Sequence, residues 1–315
     1  MVSPVIWSTR PLSPIHSGLF HLVSPALSWY NLVSAYHNIL RNVILDNNRY
    51  DQHIHSSFST DSDPKNTISN IIETAIILEL AGIAVVDHLD PLWPSSDETL
   101  NFIDIDAYKT ALTEAENTYG NRISFAKGIE LGFMPGEALS ICRETVDSYA
   151  FDFVIGSVHC SPKMALHLPA FTAGRPLADI VEEYYALLYH SIRDYKNYDV
   201  LGHINAVDRY TSELAPEGMY MPYVDEVLKV AVSDGKGIEI NTSAFRYGLG
   251  GTGTPTIPII KRFKELGGEI ATIGSDAHRA SDIGSFIKEG EEMLLACGFK
   301  YFAVYKNRTP EFVKL

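Results

Sequence analysis

The sequence predicts an α/β fold with a mainly parallel sheet, and three observations predict it. From Arg49 onward, short β-rich runs alternate with stretches of helical apolar spacing, the pattern of strands joined by crossover helices. The chain is 315 residues long and 46% hydrophobic, with 20% charged residues, enough for a substantial buried core. Imidazoles and carboxylates recur at the C-terminal ends of the strand-like runs, where a parallel barrel gathers its active site.

The first strand is predicted around Asp51-Gln52-His53-Ile54-His55. Side chains two apart on a strand share a face, so His53 and His55 would stand side by side. A first helix is expected from Asp63-Pro64, an N-cap followed by Pro at the first helical position. Ile68, Ile71, Ile72 and Ala75 carry its apolar face, and Gly82 stops it. The second strand is Ile83–Val86, followed by a helix from Asp106 to Tyr119 that ends at Gly120. Strands three and four cover about Ile123–Ile129 and Phe153–Gly156. An excursion from Ser161 to Tyr198 carries a helix with Ile180, Tyr184, Leu188 and Ile192 four apart. Strand five is Val200–Gly202; a helix near Tyr223–Val232 leads to strand six, Gly237–Ile240. A helix Ile257–Leu266 closes at Gly267-Gly268 before strand seven, Glu269–Ile273. A last helix, roughly Ser281–Ala296, precedes a tail strand, Tyr301–Val304.

Collected by strand end, the polar residues are His53 and His55, then Asp87-His88, Glu130, His159, His203, Asn241, and finally Asp276 and His278. Six of the 11 histidines fall at these places. A lone histidine is ordinarily a satisfied core residue, but six at one face of a barrel point to metal. The donors are nitrogen and oxygen without thiolate, which suits Zn, Mn or Fe. They are too many for one tetrahedral ion, and Glu130 could bridge, so two to three divalent metal ions are expected. Such clusters activate water and clamp a phosphoryl group, making phosphate-ester hydrolysis the first reaction class. Amide or ring hydrolysis is the nearest rival. Arg246, after strand six, and Arg209, after strand five, are candidate phosphate contacts because the guanidinium fork matches phosphate oxygens. Gly248-Leu249-Gly250-Gly251 reads as a loop, and Lys163 and Arg175 as surface with a lid as the alternative. His16, His21, His37, His167 and His190 read as structural or exposed.

The net charge of −14 argues against a long nucleic-acid partner, whose phosphates need Lys and Arg. It leaves room for a small phosphorylated substrate, since bound metal reverses the local field. Cys142, Cys160 and Cys297 are scattered and read as reduced thiols of a cytoplasmic protein. No apolar run is long enough to span a membrane. Residues 1–48 form an extension of unknown role, acid-poor and broken by Pro4, Pro11, Pro14 and Pro25, with helical spacing from Leu27 to Leu45. Oligomeric state is not legible.

The stretches DQHIHSSFSTDSD, GIAVVDHLD, KGIELGF, FDFVIGSVHC, YDVLGHINAVDRY, GIEINTSAFRYGLG and IATIGSDAHRASDIG resemble, in order, the polymerase-and-histidinol-phosphatase (PHP) superfamily. The likeness is greatest to its histidinol-phosphatase branch. The resemblance spans about Tyr50 to Asn307 and implies a distorted seven-stranded (βα)7 TIM-like barrel over residues 49–315 with a trinuclear metal site. One ion would take His53, His55, Glu130 and Asp276. A second would share Glu130 and add His159 and His203. A third would take Asp61, His88 and His278, where many relatives place a histidine instead of Asp61. The resemblance further implies hydrolysis of L-histidinol phosphate to L-histidinol and phosphate, in histidine biosynthesis. A metal-bridging hydroxide would attack phosphorus in line, and Arg246 and Arg209 would stabilise the phosphoryl charge. The alternative is action on nucleotides or other small phosphate esters; a non-catalytic binding module would have lost ligands.

Overall fold

In the computed structural model, residues 49–94, 103–247 and 254–315 are described. The extension 1–48 and the loop Gly248–Gly251, with His16, His21 and His37, lie outside the described residues. Seven strands run in parallel in chain order: β1 (Tyr50–Ile54), β2 (Gly82–Val85), β4 (Ser124–Gly132), β5 (Phe153–Ser157), β6 (Val200–Leu201), β7 (Gly237–Asn241) and β8 (Ala271–Gly274). The two-residue β3 (His88–Leu89) continues β2 and pairs with β4, setting His88 beside Glu130. The sheet nearly closes into a barrel: Asp276 N–H donates to His53 O at 2.8 Å and His55 N–H to Ala277 O at 2.9 Å. Asp51 reinforces this seam, accepting from Ser275 N–H at 2.8 Å and Gly284 N–H at 2.8 Å. The α/β barrel expected from the sequence is therefore the fold.

Alternation along the strands divides the buried residues. Ile83, Val85, Ile129, Leu131 and Val154 face the helices and join the large outer core. Ala84, Val86, Ala126, Phe153, Ile155 and Val200 point inward and form a separate interior cluster. A hairpin of β9 (Tyr301–Lys306) and β10 (Thr309–Lys314) adds Ala303 and Tyr305 to that interior. Tyr305 stacks on Phe153 with ring centroids 4.8 Å apart. Lys306 and Arg308 hold the hairpin from outside: Lys306 Nζ meets Asp152 at 3.2 Å and Glu116 at 2.8 Å, and Arg308 Nε meets Asp199 at 2.6 Å.

Several elements differ from expectation. The first helix is Ile68–Ile77, capped by the Thr67 hydroxyl, which accepts from Asn70 N–H. Asp63 instead accepts from Lys65 N–H in a preceding turn, while its own N–H donates to His278 O. That tie to the far end of the barrel keeps the chain out of helical geometry here. A helix Glu137–Asp147, not foreseen, joins β4 to β5. The stretch expected as one helix after Ser281 opens with a 3-10 turn, Ala280–Asp282, and becomes helix only at Ile287–Ala296. Gly284 (φ +72°) and Phe286 (φ +60°) separate the two, because left-handed residues interrupt an α-helix. The helix near Tyr223 begins earlier, at Glu217, and runs to Ser233. The strand β10 was also not foreseen. Among the described residues, no helix is long and apolar enough to cross a membrane. Cys142, Cys160 and Cys297 are buried and free.

Candidate metal centre

Inward-facing positions turn from apolar to polar toward the C-terminal strand ends. Phe153 and Ile155 on β5 give way to Ser157, and Ala126 on β4 gives way to Glu130. Glu130 is fully buried, and its carboxylate is the centre of the cluster. His88 Nδ1 lies 2.9 Å from its Oε2, with His53 Nε2 at 3.4 Å and His55 Nε2 at 3.6 Å. The other oxygen, Oε1, has His203 Nε2 at 3.0 Å and His159 Nε2 at 3.3 Å. Asp276 Oδ1 closes on His55 Nε2 at 3.3 Å and His53 Nε2 at 3.8 Å. Asp61 stands at the outer edge, 58% exposed, with its Oδ2 3.3 Å from His278 Nε2 and 3.7 Å from His88 Nε2. The ring of His55 is sandwiched between those of His88 and His278, each centroid 4.1 Å away. All nine residues proposed as ligands are thus brought together at one barrel end.

The donor chemistry fits metal ions. Glu130 Oε2, His88 Nδ1 and His159 Nε2 are buried and make no hydrogen bond, a costly state for polar atoms unless a cation satisfies them. On three of the histidines the ring nitrogen turned away from the cluster is engaged, while His203 Nδ1 is buried without a partner. His53 Nδ1 lies 2.5 Å from Glu239 Oε1, and His159 Nδ1 lies 2.8 Å from Asp90 Oδ1. His278 Nδ1 lies 3.1 Å from Asp276 O. These partners are acceptors, so each Nδ1 carries the hydrogen and each Nε2 presents a lone pair. The same follows for His55 by counting protons. The Ser59 hydroxyl donates to Asp87 Oδ1 at 2.6 Å, so it must accept from His55 Nδ1 at 3.2 Å. His53 Nε2 and His55 Nε2 are 2.9 Å apart, a distance two lone pairs tolerate only with a proton or a metal ion between them.

Electrostatics agree. Burial opposes charge on His53, but Glu239, Glu130 and Asp276 raise its pKa well above the ordinary value. Burial and the neighbouring His88 and His278 push His55 well below it. Without metal, one proton sits between the two rings where an ion would sit. Burial also opposes charge on His88, yet Glu130 and Asp61 lift it to about 9. Burial works to raise Glu130 and Asp276, but the imidazoles around them hold both carboxyls well below their usual range.

The cluster floors a cavity of about 610 Å³, whose lining includes Arg209, Arg246, Tyr210 and Tyr247. Arg209 donates from one nitrogen to Ser243 Oγ at 2.8 Å, Asp276 Oδ2 at 3.1 Å and Asn241 Oδ1 at 3.2 Å. Its Nε is buried and unpaired. Arg246 gives its two terminal nitrogens to the carbonyls of Ser275 (2.8 Å) and Asp276 (2.9 Å). Lys163 is exposed and does not line the cavity, and Arg175 is tied to Glu183 and Phe171 O. His167 is exposed, as expected, and also lines the cavity, stacked on Trp93 at 6.1 Å. His190 is exposed beside Tyr189.

A family model for the PHP domain matches residues 51–243. The chain belongs to the PHP domain family. A PHP relative from Clostridium acetobutylicum, named a probable histidinol-phosphatase, is 32% identical over 255 residues, covering 80% of this chain and 94% of the relative. The histidinol-phosphatase of Lactococcus lactis is 27% identical over 265 residues, covering 82% and 95%. The crystal structure of the Lactococcus lactis histidinol phosphate phosphatase, complexed with Zn, L-histidinol and phosphate, superposes with a TM-score of 0.75 at 25% identity. That likeness covers 84% of this chain and 98% of the other.

Around this PHP centre lie functional candidates that sequence reasoning missed, Glu239, Asp90 and Ser59, beside Asp87, which it collected only as a strand end. Glu239 stood in a recognised strand and Asp87 at the end of one, but their partners are 28 to 186 residues away. A glycine signals one of them. A Cβ on Gly132 would lie 1.8 Å from Asp90 Oδ1, so only glycine admits the carboxylate behind His159.

Proposed function

We propose that this PHP protein is a metal-dependent L-histidinol-phosphate phosphatase, releasing L-histidinol and phosphate by adding water to the monoester. The observation that carries the reading is the convergence of six imidazoles on Glu130 and Asp276, with unpaired buried donors, at the floor of a cavity lined by two arginines. The relatives' names and the zinc, histidinol and phosphate bound by the Lactococcus lactis protein support the substrate.

Three ion positions account for the donors. His53, His55, Glu130 and Asp276 would hold one; Glu130, His159 and His203 a second; Asp61, His88 and His278 the third. Zn is supported by the relative's complex, and the oxygen-rich third position also suits Mn or Fe. Divalent ions bound there supply activated water and neutralise phosphoryl charge. The chain's own residues do the rest. Glu130 offers one oxygen to each of two ligand groups, keeping both in fixed relation. Arg209 holds Asp276 and lines the cavity, where its guanidinium would meet a phosphate oxygen of the substrate. Arg246 braces the Ser275–Asp276 backbone at the cavity wall, where its guanidinium meets the same phosphate. Residues 49–315 would be the catalytic unit, and the buried free cysteines suit a cytoplasmic setting.

The test is phosphate release by metal-reconstituted protein across histidinol phosphate, nucleotides and sugar phosphates. A preference for histidinol phosphate is expected, and equal rates on nucleotides would overturn the substrate. Glu130→Gln is expected to weaken metal binding by about 100-fold or more and to abolish turnover; unchanged turnover would overturn the metal mechanism.

A further inference from the structure

Glu239 is wholly buried in the middle of β7, between Ile238 and Ile240. A carboxylate in such a place is costly unless donors surround it. Here they do. Its Oε1 faces His53 Nδ1 at 2.5 Å. Its Oε2 accepts from His203 N–H at 2.9 Å and from Asn241 Nδ2 at 3.1 Å. Asn241 Nδ2 also donates to Asp276 Oδ2 at 3.1 Å. Room for this carboxylate comes from Gly274, where a Cβ would lie 2.8 Å from Glu239 Oε1 and 2.3 Å from the Cβ of His53.

Two of the three partners belong to different ion positions. His53 is in the first set and His203 in the second. His203 has a backbone φ of +22°, outside the regions a residue with a side chain prefers. The bond from its N–H to Glu239 fixes that unusual backbone and therefore the direction of its ring. Through Asn241 the same carboxylate reaches Asp276, whose φ is +54°.

We infer that Glu239 is a positioning residue that locks ligands of two ion positions at once, setting the His53 tautomer and the His203 backbone. The inference rests on the metal reading above. Glutamine, its isostere, cannot replace it. Every group facing the carboxylate is a donor, and an amide must turn its NH₂ toward one side or the other. It would then oppose either the His53 ring N–H or the pair from His203 and Asn241.

The full chain, stripped of metal and titrated with Zn²⁺ against a chromophoric chelator, tests this. Glu239→Gln is expected to bind zinc about 10–100-fold more weakly than wild type, with a circular dichroism spectrum like that of the wild type. A folded variant with affinity within about threefold of wild type would overturn the inference, taking tenfold as the lower limit for such partners. A second reading needs no variant: ¹⁵N-histidine NMR of the zinc-loaded wild type. His53 is expected to carry its proton on Nδ1, shielded from exchange, with Nε2 metallated. Metallation of Nδ1, or no ring proton there, would overturn the inference even if Glu239→Gln fails to fold. Wild type that takes up no zinc would overturn the metal reading itself.

Discussion

On the proposed ligand set, Arg209 serves an ion position without touching an ion. It draws Asp276 Oδ2, Asn241 Oδ1 and Ser243 Oγ to a single nitrogen, and its ring-facing side lies 5.1 Å over Tyr247. Lysine would keep the charge but lose the planar fork. Arg209→Lys is expected to lower kcat/KM about 100-fold, equivalent to about 2.7 kcal/mol and in line with loss of charged hydrogen bonds. Steady-state kinetics on histidinol phosphate checks this; a change under threefold would remove Arg209 from the working site. At this scale the sequence spoke unevenly. His53 and His55 could be found because strand alternation sets them on one face, and Asp276 because a carboxylate follows the end of a strand. The roles of Ser59 and Asp87 could not, because a loop hydroxyl and a carboxylate at the end of the neighbouring strand become a tautomer lock only when folding places them beside a ring. Asp90 left an indirect mark in Gly132, which has meaning only once the two are known to touch.

Among the elements, the β9–β10 hairpin stands apart. It follows the last barrel strand, yet supplies Ala303 and Tyr305 to the interior. Tyr305 is 5% exposed and stacks on Phe153. Removing its ring leaves a cavity that the surrounding strands cannot close. Tyr305→Ala is expected to destabilise the protein by about 3 kcal/mol, read as a shift in the urea midpoint. Zinc stoichiometry should stay unchanged, because the hairpin and the ion cluster occupy opposite ends of the interior. Loss of zinc together with stability would show that the ends are coupled. The tail strand was legible in Tyr301–Val304, whose inner residues are apolar. Its partner β10 was not, since Thr309, Glu311, Phe312 and Lys314 are exposed and give no clean alternation. The helix at Ile68–Ile77 was placed correctly by its apolar face, while its start was misplaced because Asp63-Pro64 carries every local sign of a cap. Only the bond to His278 O shows why that sign was misleading.

For the whole molecule, protons and metal ions compete for one set of nitrogens. In the metal-free protein His88 is raised to about 9, so its protonation stabilises the fold fully below about pH 6.5. That contribution is lost as pH rises through about 9. Metal loading requires the neutral ring and releases the proton, so it strengthens across the same window. The gap in Tm between zinc-loaded and stripped protein is therefore expected to widen from pH 6.5 to about 9. Differential scanning fluorimetry of both forms would measure it, and a gap that narrows as pH rises would contradict the assignment. The barrel itself was legible because candidate ligands recur at every strand end but the one that carries Asn241. Its near-closure was not, because the seam depends on Asp51, Ser275 and Gly284 meeting across 233 residues of sequence.

That seam has a consequence in time. The two edges joined there, at His53–His55 and Asp276–Ala277, are also the two ends of the ligand series in the chain. A growing polypeptide presents its first two imidazoles long before the aspartate that completes their set. Local pairing cannot assemble the site; contact between the first and last barrel strands is needed. The ability to hold the full set of ions thus arrives last, with topological closure. An incomplete chain would carry the histidines without the catalyst.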